Sequence, residues 1–239
     1  MTNNCHALVA FFAAISLAAC SGSSNTRFNT ENKTAVSVFS VDKSEQKSED
    51  RKLAPFTKID AAGRGDLIIK VDAAKAQNVR VEANGKSLPG ITTVVDNGTV
   101  QIKLAQGINP DVVRILVDTT ALTELQTSGA FHATVDLGLS KDLKMNVSGA
   151  TNMIMRGRVN KLDLTVSGAS MVVAREVRTN LCRATVSGAS SAALDGGSTV
   201  DATASGASHI TLYATGNAGK ITQNCSGASR IDIKTGETF

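Results

Sequence analysis

The sequence predicts an all-β chain: a right-handed parallel β-helix with coils of about 20 residues and a less regular N-terminal β cap. Ser-Gly-Ala occurs six times, starting at Ser128, Ser148, Ser167, Ser187, Ser205 and Ser226, at intervals of 20, 19, 20, 18 and 21 residues. Such a period marks one supersecondary unit stacked on the next. The residues before each triplet alternate apolar and polar, as in Lys161-Leu-Asp-Leu-Thr-Val166, so the unit is built on strands and not on helices.

The first element is a signal segment, residues 1–19. Ala7 to Leu17 is an apolar run too short to span a bilayer, and it ends in Leu17-Ala-Ala-Cys20 followed by Ser21-Gly-Ser-Ser24. This resembles a lipoprotein lipobox, with Cys20 the lipidated first residue of the mature chain. The stretch Met1 to His6 departs from the pattern in having no Lys or Arg. Multiple acyl chains anchor a protein without a transmembrane helix. Residues 20–50 then read as the lipidated N-terminus and a flexible polar tether, with four basic and five acidic side chains between residues 21 and 50.

The folded domain is expected over residues 51–239, with the Ser-Gly-Ala repeats at 121–235. Short alternating runs fill its first half: Phe56 to Asp60, Asp66 to Val71, Val79 to Ala83, Ile91 to Val95, Thr99 to Leu104 and Val112 to Val117. Asp96-Asn97-Gly98 is a hairpin turn signal between two of them. This half lacks the Ser-Gly-Ala register and reads as irregular coils that cover the open edge of the first repeat.

Aligning the repeats on the triplet serine gives columns. Three are expected to face the core: Thr123, Leu143, Leu162, Cys182, Val200, Ile221; then Leu125, Met145, Leu164, Ala184, Ala202, Gln223; then Thr127, Val147, Val166, Val186, Ala204, Cys225. After the triplet, pairs such as Ala133/Val135, Met153/Met155 and Ile231/Ile233 are also expected inside. The second-position glycines Gly129, Gly149, Gly168, Gly188, Gly206 and Gly227 supply the structural turn at a crowded corner. The triplet serines are expected to bond backbone groups of that turn. None of them stands in a Gly-x-Ser-x-Gly elbow.

The outward column Glu124, Lys144, Asp163, Arg183, Asp201 alternates in sign from repeat to repeat, which predicts an outer-face ion-pair ladder. Gln126, Asn146, Thr165, Thr185, Thr203 and Asn224 form a second, uncharged polar column. Cys182 and Cys225 fall two coils apart, beyond disulfide reach, and are expected to be buried thiols. His132 and His209 share an outward column four coils apart, too far to share a metal. No metal site and no cofactor are expected.

Composition narrows function. The chain has no Trp, one Tyr and seven Phe, so the aromatic platforms used for sugars and single-stranded nucleic acids are scarce. The net charge of +4 is spread among interspersed acids, which argues against nucleic acid as a partner.

The lipobox, the opening Pro55-Phe-Thr-Lys-Ile-Asp60 with Gly65-Asp-Leu-Ile-Ile-Lys-Val71, the Gly107-Ile-Asn109 tripeptide and the Val-Ser-Gly-Ala-Ser copies at 166–170 and 186–190 together resemble the auto-transporter adhesin head GIN-domain family. The resemblance covers residues 53 to 235. It implies a β-helical, pectin-lyase-like shape on an envelope protein, with adhesion proposed from architecture and no catalytic residues to carry over.

The favoured function is therefore a non-enzymatic lipoprotein of the bacterial cell envelope, lipid-anchored in the outer membrane and facing the periplasm or the cell surface. Its outer face would bind a surface polysaccharide, an envelope protein or a second copy of itself through an edge strand. The alternative is a polysaccharide lyase or hydrolase, for which Asp163, Arg183, Asp201 and Asp195 are the candidate residues.

Overall fold

The computed structural model describes residues 46–107, 113–196, 199–214 and 219–235. The expected signal segment, Cys20, the tether up to residue 45, and Ile108 and Asn109 lie outside them.

The described chain is all-β apart from a short 3-10 turn at Leu88–Gly90. Its first half forms β1 (Gln46–Arg51), β2 (Lys58–Val71), β3 (Asn78–Asn84), β4 (Ile91–Asp96), β5 (Thr99–Leu104) and β6 (Arg114–Thr119). The repeats form β7 (Glu124–Val147), β8 (Asn152–Val166), β9 (Met171–Val186), β10 (Ser191–Asp195), β11 (Thr199–Ala204), β12 (His209–Ala214), β13 (Lys220–Cys225) and β14 (Arg230–Thr235). All fourteen join one open sheet, whose main path runs β1-β3-β6-β2-β7-β8-β9-β10-β12-β14.

The two halves differ in strand direction. From β7 onward each repeat pairs parallel and in register with the next, as in Leu164↔Ala184 and Ala184↔Ala202. The first half is mixed, with β1–β3, β3–β6 and β4–β5 antiparallel. Asn97 and Gly98 take positive φ, 47° and 72°, and close the β4–β5 hairpin between Asp96 and Thr99 as their sequence predicts. The last residues of the stretch expected as tether fall within the described residues. Gln46 to Asp50 belong to β1 and pair with β3, because charged residues such as Asp50 find a partner across the strand pair, here Arg80 at 2.8 Å.

β2 links the halves and is itself an unmarked repeat. It pairs parallel with β7 from Lys58↔Glu124 to Lys70↔Asp136, which aligns Gly63 with the triplet glycine Gly129. Ala62-Gly63-Arg64 has no Ser-Gly-Ala signature, so only the register reveals the relation. β2 also pairs with β5 and β6, so the sheet branches there.

The core lies inside the stacked columns. Leu125, Met145, Leu164, Ala184 and Ala202 are all buried, and so are Ala133/Val135 through Ile210/Leu212 after the corner. Volume is shared between the two sets: as the first shrinks from Leu164 to Ala184 and Ala202, the second grows from Ala174 to Leu194 and Leu212. Such compensation keeps a narrow core filled without strain. The column assignment fails at both ends. Thr123 is exposed, and Leu122 is buried there instead. In the last repeat Gln223 is exposed, Cys225 is half-buried and Ile233 is 41% exposed, since among the described residues no further repeat covers them.

Candidate functional site

The triplet glycines stack directly on one another. Their φ values run from 117° at Gly129 to 72° at Gly227, a region that costs an L side chain about 1–2 kcal/mol. A Cβ on Gly188 would stand 2.6 Å from the Gly168 carbonyl oxygen, and one on Gly129 would overlap the Gly63 carbonyl. That oxygen cannot retreat, because it is the acceptor that ties one corner to the next: Ala189 N–H donates to Gly168 O at 2.8 Å, and Ala169 N–H to Gly149 O at 2.8 Å.

The hydroxyls that serve the corner sit three residues after the triplet serines. Thr151, Ser170, Ser190 and Ser208 are buried. Ser170 Oγ donates to Gly149 O at 3.2 Å and accepts the Thr151 amide at 3.2 Å, and the same pattern recurs one repeat on. Of the triplet serines only Ser148 uses its side chain this way, donating to Thr127 O at 3.1 Å. The clue was available in the sequence as a fourth letter, Ser-Gly-Ala-Ser or Ser-Gly-Ala-Thr, in every copy but the first, where buried Phe131 takes the place.

The charged column is aligned as neighbours, with Lys144↔Asp163, Asp163↔Arg183 and Asp201↔Arg183 in register. Its contacts are sparser than a continuous ladder. Lys144 reaches Glu124 at 3.7 Å, but Asp163 bonds Lys161 of its own strand at 2.9 Å. Among the described residues Arg183 forms no ion pair with either aspartate, since exposed long side chains gain little from such a contact. Asp195, the fourth residue proposed for an enzyme, lies on another column with Tyr213. Cations stand over that tyrosine ring, Arg175 at 5.3 Å and Lys234 at 5.4 Å, so the chain's one tyrosine already has its π face engaged.

His132 and His209 occupy one column, separated by Asn152, Met171 and Ser191. His209 Nε2 lies 3.0 Å from Asp232 Oδ2. Among the described residues no three His, Cys, Asp or Glu side chains group as metal ligands. Cys182 is buried, and burial, helped by the charges of Asp163 and Asp195, pushes its thiol up to about 12.

One surface feature has the shape of a site, and the sequence did not single it out. Where β7, β8 and β9 turn again, a groove of about 430 Å³ opens across the strands. Leu139, Arg158 and Arg178 align along one wall. Ser140, Val159 and Thr179 align along the floor, and Asn160 and Asn180 form the opposite wall. The walls arise from strand alternation, because residues 158 and 160 both point outward on either side of buried Val159. Two residues earlier the column Asp136, Arg156, Glu176 alternates in sign, with Arg156 on Asp136 at 3.1 Å. At Arg158↔Arg178 two like charges adjoin, and among the described residues neither has an ion pair or a hydrogen bond.

The asparagine wall has a fixed direction. Asn160 Nδ2 donates to Asp142 Oδ1 at 3.3 Å, and Asn180 Nδ2 donates to Asn160 Oδ1 at 2.8 Å. The Asp142 oxygen accepts, so it orients both amides and leaves each with a second N–H to offer. On the floor Thr179 is 8% exposed and its Oγ1 has no partner.

No curated protein matches the chain by sequence. Among solved structures, a crystal structure titled as a putative adhesin from Bacteroides fragilis NCTC 9343 superposes with a TM-score of 0.60 at 16% identity, covering 80% of this chain and 96% of that one. A putative lipid binding protein from Parabacteroides distasonis ATCC 8503 reaches 0.49 at 17% identity, over 80% and 98%. The Bacteroides fragilis superposition, at so low an identity, speaks for a shared fold alone. The family model described as "Putative auto-transporter adhesin, head GIN domain" matches residues 55–218, and the chain belongs to that family.

Proposed function

We propose that the chain is a non-enzymatic, lipid-anchored binding module of the bacterial cell envelope, which presents a donor-lined groove on a stack of repeats to a polar ligand. The groove's chemistry is the observation behind this reading. Its walls offer Arg158, Arg178, Asn160 and Asn180, groups that hold and orient a ligand. Among the described residues no carboxylate, histidine or cysteine lines it to move a proton or attack a bond. The family's description as an adhesin head favours surface attachment. The parallel register of successive repeats favours a right-handed parallel β-helix as the overall winding. The division of labour that fits is a signal at 1–19, lipid on Cys20, a tether up to residue 45 and a folded module beyond it.

The test has two arms. Metabolic labelling with a fatty-acid analogue should mark the wild-type chain and not Cys20→Ala. Incubation with envelope polysaccharide should retain the polymer on the full-length chain and return it intact by mass spectrometry. Cleaved or unsaturated products would replace this reading with the lyase or hydrolase alternative.

A second reading rests on the C-terminal end. β13 pairs with β11 and β14 with β12, and among the described residues neither has a second strand neighbour. Such an edge offers backbone groups for strand addition by a second copy of the chain.

A further inference from the structure

We infer that the groove between Arg158/Arg178 and Asn160/Asn180 is an oxyanion site, and that its ligand is an acidic saccharide bearing a carboxylate or sulfate group. The inference rests on the reading of the groove as the binding site and names the ligand class. Two independent features point the same way. First, Arg158 and Arg178 are register neighbours on adjacent strands, about 4.8 Å apart at the backbone. Just outside the groove Arg156 is neutralised by Asp136, whereas among the described residues no acid pairs with Arg158 or Arg178. Two adjacent guanidinium groups without an acid are a standing demand for an anion, and their fork geometry matches a carboxylate or sulfate edge.

Second, the opposite wall is polarised toward donation. The hydrogen-bond run from Asn180 through Asn160 to Asp142 uses one N–H of each amide and leaves the other free to donate to a ligand.

The form of the groove decides between ligand classes. Its volume of about 430 Å³ suits one or two pyranose rings lying across the strands. A ring with an acidic substituent on the arginine wall brings its hydroxyls to the asparagine wall. A nucleic acid would look for aromatic faces, and among the described residues none lines the groove. An acyl chain would need a continuous apolar wall, whereas the walls carry one exposed apolar side chain, Leu139.

The experiment is isothermal titration calorimetry on the full-length chain in a non-ionic detergent at moderate salt. The probes are a glucuronate-containing tetrasaccharide, cellotetraose as its neutral counterpart, inorganic sulfate, and vesicles containing phosphatidylglycerol. The acidic tetrasaccharide should bind, with cellotetraose at least tenfold weaker and sulfate weaker still. Arg158→Gln and Arg178→Gln should each weaken it about tenfold, as expected for loss of one charge-assisted contact. Arg156→Gln removes the same charge from the paired column beside the groove and should change affinity less than twofold. Equal losses for all three variants would reduce the effect to diffuse attraction and overturn the site. Binding to the vesicles alone, sensitive to Arg158→Gln, would transfer the site to a lipid headgroup and overturn the saccharide. Cellotetraose binding as tightly as the acid, and lost in Asn160→Ala, would overturn the oxyanion inference and leave the binding-module reading standing. No groove-dependent binding of any probe would sink both.

Discussion

The Ser190 hydroxyl joins two levels of the stack: it accepts the Ser170 amide at 3.3 Å and donates to the Gly168 carbonyl at 3.1 Å. Both serines are buried, and the Ser170 amide has this hydroxyl as its partner. A polar spine therefore runs up the corner beside the apolar core. Ser190→Ala should destabilise the chain by about 1–3 kcal/mol, the cost of orphaning a buried donor. Ser187→Ala, at the triplet serine of the same repeat, should stay within about 0.5 kcal/mol. Urea unfolding of the two variants checks this, and equal midpoints would remove the hydroxyl spine from the account.

Two glycines with the same backbone conformation should respond differently to alanine. Gly98 has φ 72° with nothing within 4 Å of an added Cβ, while Gly188 has φ 76° with the Gly168 carbonyl 2.6 Å away. Gly98→Ala should cost about 1–2 kcal/mol from conformation alone. Gly188→Ala adds a clash with backbone and should exceed about 4 kcal/mol. Thermal melts that moved equally would mean that stacking at the corner is not tight.

Acid should loosen the N-terminal strand first. Arg80, with Asn78, hydrogen-bonds the Asp50 carboxylate and holds its pKa at about 2, below the ordinary 3.8. Because the folded pKa is depressed, the contribution is complete above pH 3.8 and lost as pH falls through about 2. Hydrogen exchange across residues 46–51, corrected for intrinsic rates, should lose protection in that window while β8 and β9 keep theirs. Asp50→Asn should abolish the pH dependence. At the other end, burial alone would raise the Asp232 carboxyl, but hydrogen bonds from Arg230 and His209 outweigh it and lower it, so β14 should show the same sign of response.

Self-association, if it uses the C-terminal edge, should respond to one proline. Thr222 lies in the middle of β13, opposite Asp201 of β11. Sedimentation velocity of the full-length chain should show a concentration-dependent larger species that Thr222→Pro removes, since proline deletes a ladder donor. A monomer at every concentration, or an oligomer indifferent to the proline, would exclude the edge.

By itself the sequence determined the parts governed by local periodicity. Alternation and the Ser-Gly-Ala period specify strands, their inward and outward faces, and the parallel register that pairs Leu164 with Ala184, because a slip of one residue would turn every apolar side chain outward. Asn97-Gly98 specified its hairpin for the same local reason. Tertiary structure decided whatever depends on which strands lie side by side. Gly63 became a corner glycine through pairing with β7, with no triplet to announce it. Thr123 and Gln223 faced solvent because a column loses its cover at the ends of a stack. The groove belongs to this second class. Arg158, Asn160, Arg178 and Asn180 are spread over two repeats and look like ordinary surface residues along the chain. Only the register of β8 on β9, together with the corner that follows, sets two like charges together opposite two oriented amides.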